Sequence, residues 1–259
     1  MDVDGLLLDI DGVLALSWEP IAGATDTLSW IRQQAVPFRL ITNTTTHTRE
    51  ALSTTLCDAG FAVEPTDIVT AVAATAGYLR AHHADARVFL LSDGDARADL
   101  EGVALVGADE PADVVVIGGA CDDFTYPAMN RIFGLLNDGA ALVGMHRNLY
   151  WRTADGLQLD GGAYIAALEE ATATKAVICG KPAPAYFEAA LEMLGVPAAR
   201  AAMVGDDVAN DVLGAQAIGM TGVLVRTGKF RSTDLERDDG SPDHVIDSFA
   251  DLPALMRAT

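Results

Sequence analysis

The sequence contains little positive charge and little cysteine. Only 17 of its 259 residues are Lys or Arg, and three of these are Lys, against 37 Asp or Glu, so the formal net charge is −20. A chain this acidic repels phosphate backbones and anionic lipid headgroups, which argues against nucleic-acid and membrane-surface binding. The three cysteines are too widely spaced for a paired metal motif, so we expect a reducing compartment.

Long hydrophobic runs are also missing from the sequence. No apolar stretch reaches 18 residues, and no basic segment followed by an apolar one, as in a secretion signal, precedes the first motif. We therefore expect a cytoplasmic, soluble protein. Half of the residues are nevertheless hydrophobic and 21% are charged, which is typical of globular chains that bury one or two cores.

Eight short apolar runs alternate with stretches of helical periodicity. The runs show little polar alternation, as is typical of strands buried on both faces of a parallel sheet. A helix is predicted over 184–194, where apolar residues recur at helical spacing between a Pro near the start and a Gly after the end. The alternation predicts an α/β fold. The runs are residues 5–9, 38–42, 88–92, 114–118, 141–144, 176–179, 201–205 and 222–225.

Polar clusters follow four of these runs. The carboxyl ends of parallel strands line the ligand crevice of such sheets, so we expect the clusters to meet there. Taken singly, each has a simpler explanation, since Asp, Thr and Asn often cap helices and most Lys side chains are solvated. The clusters are Asp9-Ile-Asp11-Gly12, Thr42-Asn43-Thr44, Gly180-Lys181-Pro182, and Gly205-Asp206-Asp207 with Asp211 following.

Together the clusters suit phosphoryl transfer. Several carboxylates in one crevice are tolerated only if they bind a cation, share protons or do both, and oxygen ligands without His or Cys favour Mg²⁺ over zinc. One carboxylate can attack phosphorus while Mg²⁺ and Lys181 neutralise charge and the side chains of Thr42 and Asn43 hold oxygens. A second carboxyl two residues away can act as acid and then base. Five Asp residues against Mg²⁺ and Lys181 leave two negative charges in excess, which favours a shared proton on Asp11.

In this order, the clusters resemble the four motifs of the haloacid dehalogenase (HAD) superfamily. The second Asp of the first motif marks the phosphatase branch of that superfamily. The resemblance implies a Rossmann-like doubly wound parallel sheet as the core. It makes Asp9 the nucleophile, Asp11 the acid/base and Lys181 the charge stabiliser, and it makes Thr42 and Asn43 phosphate binders.

The resemblance also implies a metal site. It places Mg²⁺ on Asp9, on the backbone carbonyl of Asp11 and on Asp206. Asp207 and Asp211 match acidic positions of the fourth motif, and we expect them to support the site.

The stretch between the second and third motifs is too long for a simple connection and contains strands and helices of its own. It resembles the α/β cap domain inserted in the class IIA, or NagD-like, branch. We predict an HAD core over 1–70 and 176–259 and a cap over 71–175. Residues 141–151, 160–169 and 225–230 are similar to members of this branch, most specifically to its phospholysine phosphohistidine inorganic pyrophosphate phosphatase subgroup.

In this branch the cap supplies contacts that set substrate specificity. The resemblance therefore makes His146 and Arg147 candidate substrate-binding residues, and Tyr150, Trp151, Arg152 and Lys175 further candidates. By analogy it also suggests a homodimer formed through the caps.

The predicted function is that of a Mg²⁺-dependent phosphatase that acts on a small phosphorylated metabolite through an aspartyl-phosphate. Three alternatives stay open: a phosphoamide or pyrophosphate phosphatase, a phosphotransferase or mutase that passes the phosphoryl group to an alcohol, and a non-catalytic phosphate-binding module. A receiver-like phosphoacceptor would be about half this length and would need no cap. The net charge of −20 predicts dependence on local cations rather than electrostatic steering of the substrate.

Overall fold

The computed structural model describes residues 1–153 and 156–258. The chain divides into two compact units. The first comprises Met1–Thr42, Arg49–Val69 and Lys181–Thr259, and the second comprises Asn43–Thr48 and Thr70–Gly180. None of the helices formed by the described residues has the length and apolarity needed to cross a bilayer.

The strands and helices alternate along most of the chain. The strands are β1 (Gly5–Asp9), β2 (Ala15–Leu16), β3 (Glu19–Pro20), β4 (Phe38–Thr42), β5 (Ile68–Thr70), β6 (Arg87–Leu91), β7 (Ala104–Val106), β8 (Val114–Ile117), β9 (Ala141–Gly144), β10 (Tyr150–Thr153), β11 (Gly156–Leu159), β12 (Val177–Ile178), β13 (Ala201–Gly205), β14 (Thr221–Val225) and β15 (His244–Ile246). The α-helices are α1 (Ala24–Gln33), α2 (Arg49–Asp58), α3 (Ala71–His82), α4 (Tyr126–Asn137), α5 (Gly161–Thr172), α6 (Pro184–Leu194), α7 (Gly214–Gln216) and α8 (Leu252–Arg257).

A six-stranded sheet forms the centre of the first unit, in the order β15-β14-β13-β1-β4-β5. The pairings from β15 to β4 are all parallel. All five residues of β1 are buried. Leu6 and Leu8 pack in one core with Leu28 and Ile31 of α1, and Leu7, which lies between them in the sequence, is also fully buried. Each such side chain contributes about 2 kcal/mol by leaving water. This burial explains why β1 reads as an unbroken apolar run.

The order of the strands brings the polar clusters together. The central strand β1 lies between β13 and β4 and is parallel to both. The carboxyl ends of these three strands therefore meet at one edge of the sheet, and they carry Asp9, Thr42 and Asp206. Ligand sites of doubly wound sheets lie at this edge.

The second unit contains a five-stranded parallel sheet in the order β12-β9-β8-β6-β7 and an antiparallel pair, β10 and β11. Strand β8 is covered on both faces. Val114 and Val116 pack in a core with α3, whereas Val115 and Ile117 pack in a core with α4 and α5. A second α/β layer structure is therefore present within the segment between the second and third motifs.

The α/β fold class is confirmed, and α6 spans the residues predicted for it. The unit boundary differs from the predicted start of the core segment at residue 176. Strand β12 pairs with Val143 and Gly144 of β9, so residues 176–180 belong to the second unit. A short strand can pair with any sheet edge that offers hydrogen-bond partners. The apolar run at 176–179 does not indicate which of the two sheets it pairs with.

Candidate active site

Asp9 ends the central strand of the first unit, and its side chain is only 5% exposed. The chain then turns sharply, because Gly12 adopts a φ of +80° and its amide donates to the carbonyl of Ala15 at 2.8 Å. Asp11 lies on this turn with its side chain exposed to solvent. The surrounding protein atoms still remove part of its hydration, which raises the pKa of Asp11, although Lys229 and Lys181 oppose the shift.

Lys181 lies between two carboxylates. Its Nζ is 2.8 Å from Oδ1 of Asp9 and 2.6 Å from Oδ1 of Asp211, and the side chain is 4% exposed. Burial alone would lower the pKa of Lys181, but Asp211 and Asp9 more than offset it, so the net shift is upward. Lys181 is therefore a fixed positive charge, and its role as the charge stabiliser of a reaction stays a prediction.

Asp206 follows β13 and is almost fully buried. Its Oδ2 accepts a hydrogen bond from the backbone amide of Lys229 at 2.7 Å. Its Oδ1 is buried with no hydrogen-bond partner among the described residues. Burial, and then the like charges of Asp9 and Asp211, raise the pKa of Asp206 to about 8. A buried carboxylate in this situation has to take up a proton or a cation.

Asp207 and Asp211 have different roles, although both were predicted only to support the site. Asp211 is fully buried, and its Oδ2 accepts from the amide of Asp207 at 3.1 Å. Burial is the main reason that the pKa of Asp211 rises, to about 7. Asp207 instead caps the turn Val208–Leu213, accepting from the amides of Ala209 and Asn210 at 3.1 and 3.0 Å. The pKa of Asp207 is lowered, since these bonds and nearby Lys charges outweigh its burial.

Asp9, Asp206 and Asp211 form what we call the carboxylate cluster. Each offers an oxygen, and these three atoms lie within 4.8 Å of one another. Two of the three carboxylates, those of Asp9 and Asp211, contact the buried ammonium of Lys181, so the cluster holds more negative than positive charge. The oxygen donors, the excess negative charge and the unpartnered Oδ1 of Asp206 fit a hard divalent cation such as Mg²⁺. The structure thus brings together the predicted ligands Asp9 and Asp206, and the carbonyl of Asp11 stays a predicted ligand.

The loop that follows β14 holds Asp206 in place, and the motif analysis assigned it no role. The hydroxyl of Thr227 donates to the carbonyl of Gly12, which ties this loop to the turn after Asp9. Gly12 and Gly228 lie so close to the Asp206 carboxylate that a Cβ at either position would collide with it. The Gly-Lys pair after a predicted strand, with one of only three Lys residues in the chain, was the sequence signal for this loop.

Thr42 ends β4 and is 3% exposed. Its amide donates to the hydroxyl oxygen of Tyr186 at 3.1 Å, and that hydroxyl lies 2.6 Å from the carbonyl of Val69. Tyr186 is fully buried in α6, and burial raises its pKa, so the hydroxyl stays protonated and fixes the backbone at Thr42. In the sequence Tyr186 resembles any aromatic residue on an apolar helix face, so this role was not predicted. Asn43, the other predicted phosphate binder, is the first residue of the second unit.

The two predicted substrate-binding residues of the second unit have partners within that unit. His146 is 3% exposed, and its Nε2 lies 3.5 Å from Oδ1 of Asp160. Arg147 binds Glu169 with both terminal nitrogens, at 3.2 and 2.5 Å, and this pair lowers the pKa of Glu169 although burial opposes the shift. A role of His146 or Arg147 in substrate binding stays a prediction. The side chains of residues 151 and 152 lie outside the described part of the chain.

Comparison with known proteins identifies the family of the chain. A family model for haloacid dehalogenase-like hydrolases matches residues 6–105, and a second, HAD-hydrolase-like model matches residues 178–252. The human haloacid dehalogenase-like hydrolase domain-containing protein 2 is 36% identical over 94% of this chain and 92% of its own length. The mouse phospholysine phosphohistidine inorganic pyrophosphate phosphatase is 34% identical over 98% of this chain and 94% of its own length.

Solved structures give the same result for the fold. The p-nitrophenyl phosphatase from Archaeoglobus fulgidus superimposes with a TM-score of 0.92 at 27% identity, covering 98% of this chain and all of that chain. NagD from E. coli K-12 superimposes with a TM-score of 0.86 over 96% of this chain and 98% of that chain, and its 24% identity shows a shared fold alone. Similarity therefore extends across both units of the chain.

Proposed function

This chain belongs to the haloacid dehalogenase-like hydrolase family, and we propose that it is a Mg²⁺-dependent phosphatase that hydrolyses a small phosphorylated metabolite through an aspartyl-phosphate on Asp9. That the chain is a phosphatase follows from its family and from similar proteins that bear that name. The metal, the covalent intermediate and the substrate class are the new content of the proposal. The observation that carries it is the carboxylate cluster, in which three acids are buried together and two of them, Asp9 and Asp211, pair with the buried Lys181.

The nucleophile of the proposed reaction is the Asp9 carboxylate. Lys181 holds Oδ1 of Asp9 at 2.8 Å, and Asp211 fixes Lys181 from the other side at 2.6 Å. The carboxylate is thus held in one orientation when it attacks phosphorus. The bond from phosphorus to the leaving oxygen breaks, and an acyl phosphate forms on Asp9. Lys181 also provides positive charge for the phosphoryl oxygens as negative charge builds up on them.

Asp11 is the proposed acid and base. It lies two residues after Asp9 on an exposed turn, where it can reach both a leaving group and an incoming water molecule. In the first step it donates a proton to the leaving oxygen. In the second step it takes a proton from the water that attacks the acyl phosphate, which releases inorganic phosphate and restores Asp9.

Asp9 and Asp206 are the proposed side-chain ligands of Mg²⁺, together with the carbonyl of Asp11. When bound, the ion supplies positive charge that neutralises the phosphoryl oxygens. The Lys229 amide holds Oδ2 of Asp206, and Oδ1, which has no hydrogen-bond partner among the described residues, is the atom we assign to the ion. Thr42 and Asn43 are the proposed contacts for the remaining phosphoryl oxygens, with Tyr186 fixing the backbone at Thr42. The second unit is the proposed specificity cap.

A second candidate substrate class rests on one specific similarity. The mouse relative that is 34% identical over nearly the whole chain is named for phospholysine, phosphohistidine and inorganic pyrophosphate. The same nucleophile and acid could cleave a phosphorus–nitrogen bond or a phosphoric anhydride, because only the leaving group differs from that of a phosphate ester. Phosphoamides and pyrophosphate therefore belong in any test of the substrate.

The proposal is tested by measuring release of inorganic phosphate from sugar phosphates, phosphoglycolate, pyridoxal phosphate, nucleotides, pyrophosphate and phosphoamides. We expect release with Mg²⁺, none with a chelator, and a loss of at least about 1,000-fold in Asp9→Asn, because an amide does not attack phosphorus. The variant should melt within a few degrees of the wild type. Activity that survives the chelator or the substitution would overturn the mechanism. Phosphate release that requires an added alcohol acceptor would instead indicate a phosphotransferase.

A further inference from the structure

Lys229 lies on the loop that holds Asp206, directly after Gly228. Its backbone amide donates to Oδ2 of Asp206 at 2.7 Å. Gly228, with a φ of +64°, lies so close to Gly12 and Asp206 that it has no room for a side chain. Lys229 is therefore the first residue after 225–228 whose side chain can extend from this loop beside the carboxylate cluster, and that side chain is 58% exposed.

Lys229 makes no ion pair shorter than 3.9 Å with the described residues, although burial, which would lower its pKa, is outweighed by the nearby acids, Asp206 first among them. Its Nζ lies 3.9 Å from Oδ2 of Asp207, and an exposed contact of that length contributes little. Both oxygens of Asp207 are already hydrogen-bonded, Oδ1 to the amides of Ala209 and Asn210 and Oδ2 to the side-chain amide of Asn210. Lys181, by contrast, is 4% exposed and has two carboxylate partners within 2.8 Å. The site thus has one fixed ammonium group and one that can still reach a ligand.

A phosphate substrate needs such a group here. The chain carries a net charge of −20, and five Asp residues around the site exceed the charge of Mg²⁺ and Lys181 by two. Lys229 offsets one of these negative charges, so an anion that approaches the site meets less repulsion from it.

We propose that Lys229 is a substrate-binding residue whose ammonium group contacts the phosphoryl oxygens of the incoming phosphate anion. The inference rests on the proposed function, and it assigns Lys229 to binding of the anion rather than to the chemical step. Because the backbone amide holds Asp206, the side chain can be changed without removing that hydrogen bond. The same ammonium group attracts phosphate and repels Mg²⁺, so its removal should change the two affinities in opposite directions.

The test compares Lys229→Gln and Lys229→Arg with the wild type. Calorimetry measures the Kd of Mg²⁺ alone and of inorganic phosphate, and hydrolysis of p-nitrophenyl phosphate gives kcat and KM. For Lys229→Gln we expect KM and the phosphate Kd to rise about 5-fold, kcat to stay within about 2-fold, and the Mg²⁺ Kd to fall about 2-fold. Lys229→Arg should restore KM and the phosphate Kd.

Arg226→Gln is the matched control. It removes one positive charge just after the same strand, but the Arg226 guanidinium pairs with Asp247 at 2.9 Å, so KM should not change. A phosphate Kd in Lys229→Gln within 2-fold of the wild type would overturn the inference. So would weaker binding of both Mg²⁺ and phosphate, since that pattern indicates a distorted loop. A wild type that binds Mg²⁺ but releases no phosphate from any substrate would instead contradict the proposed function.

Discussion

The two units use buried charge differently. In the first unit, two acids of the carboxylate cluster, Asp9 and Asp211, share the ammonium group of Lys181, and one oxygen of the third, Asp206, has no partner among the described residues. In the second unit, Arg147 and Glu169 form a one-to-one pair with two parallel contacts, and Glu169 also accepts from the amide of Ala176.

The two units differ in the balance of these charges and also in the burial of the cation, since the Arg147 side chain is 41% exposed and that of Lys181 is 4% exposed. A balanced pair with its hydrogen bonds complete has no need of a further ligand and serves the fold. An unbalanced group of buried acids is costly in a protein unless a cation or protons complete it. The excess of carboxylates, more than the presence of any one of them, is the reason to propose that the first unit carries out the catalysis.

Removing the shared cation should have the largest effect. Lys181→Met leaves Asp9 and Asp211 buried without a counter-charge, and we expect it to lower the free energy of unfolding by about 3 kcal/mol and to abolish phosphate release. Urea denaturation and a phosphate assay measure the two effects. A variant with wild-type stability would show that Lys181 does not balance the cluster.

The dependence of stability on pH should come from the first unit. Without metal, the raised pKa values of Asp206, about 8, and Asp211, about 7, mean that the folded state takes up protons that the unfolded chain does not bind until much lower pH. The metal-free protein should therefore gain about 4 kcal/mol of stability as pH falls from 9 to 6. Denaturation curves with a chelator at both pH values measure this gain.

Two variants make this comparison sharper. Asp206→Asn should lose much of the gain between pH 9 and 6. Glu169→Gln should keep it, because the pKa of Glu169 is lowered and its contribution disappears only when the solution is more acidic than the usual carboxyl range. Equal pH profiles in the wild type and in Asp206→Asn would contradict the assignment of these protons to the cluster.

Breaking the balanced pair should have the smallest effect. Glu169→Gln keeps the size of the side chain but weakens its contact with Arg147, whose side chain is 41% exposed. Solvent screens such a pair, so we expect a loss of about 1 kcal/mol in stability and a kcat/KM for p-nitrophenyl phosphate within about 2-fold of the wild type. A large rise in KM would mean that the pair also positions a substrate contact.

The sequence was sufficient to predict the fold class and that Asp9 and Asp206 would lie close together. Asp9 and Asp206 each follow an apolar run, and parallel strands with buried faces bring their ends together. The positions of Asp207 and Asp211 in the sequence could not show that the two side chains have different contacts. The turn Val208–Leu213 directs one acid to its own backbone amides and the other to Lys181, and that depends on the backbone path.

Contacts made by backbone atoms were also beyond the sequence. The Lys229 amide that holds Asp206 could belong to any residue type, and the Tyr186 hydroxyl that fixes Thr42 lies on a helix face that otherwise looks purely apolar. The pairing of β12 with β9 depends on which sheet edge is open, which no local pattern records.

Calorimetric titration of Mg²⁺ into the metal-free protein tests the central claim most directly. An unbalanced carboxylate cluster predicts one Mg²⁺ per chain in the wild type, binding lost or at least about 10-fold weaker in Asp206→Asn, and unchanged binding in Glu169→Gln. Binding of Mg²⁺ to Asp206→Asn with the affinity of the wild type would contradict the claim that the excess charge of this cluster is a cation site.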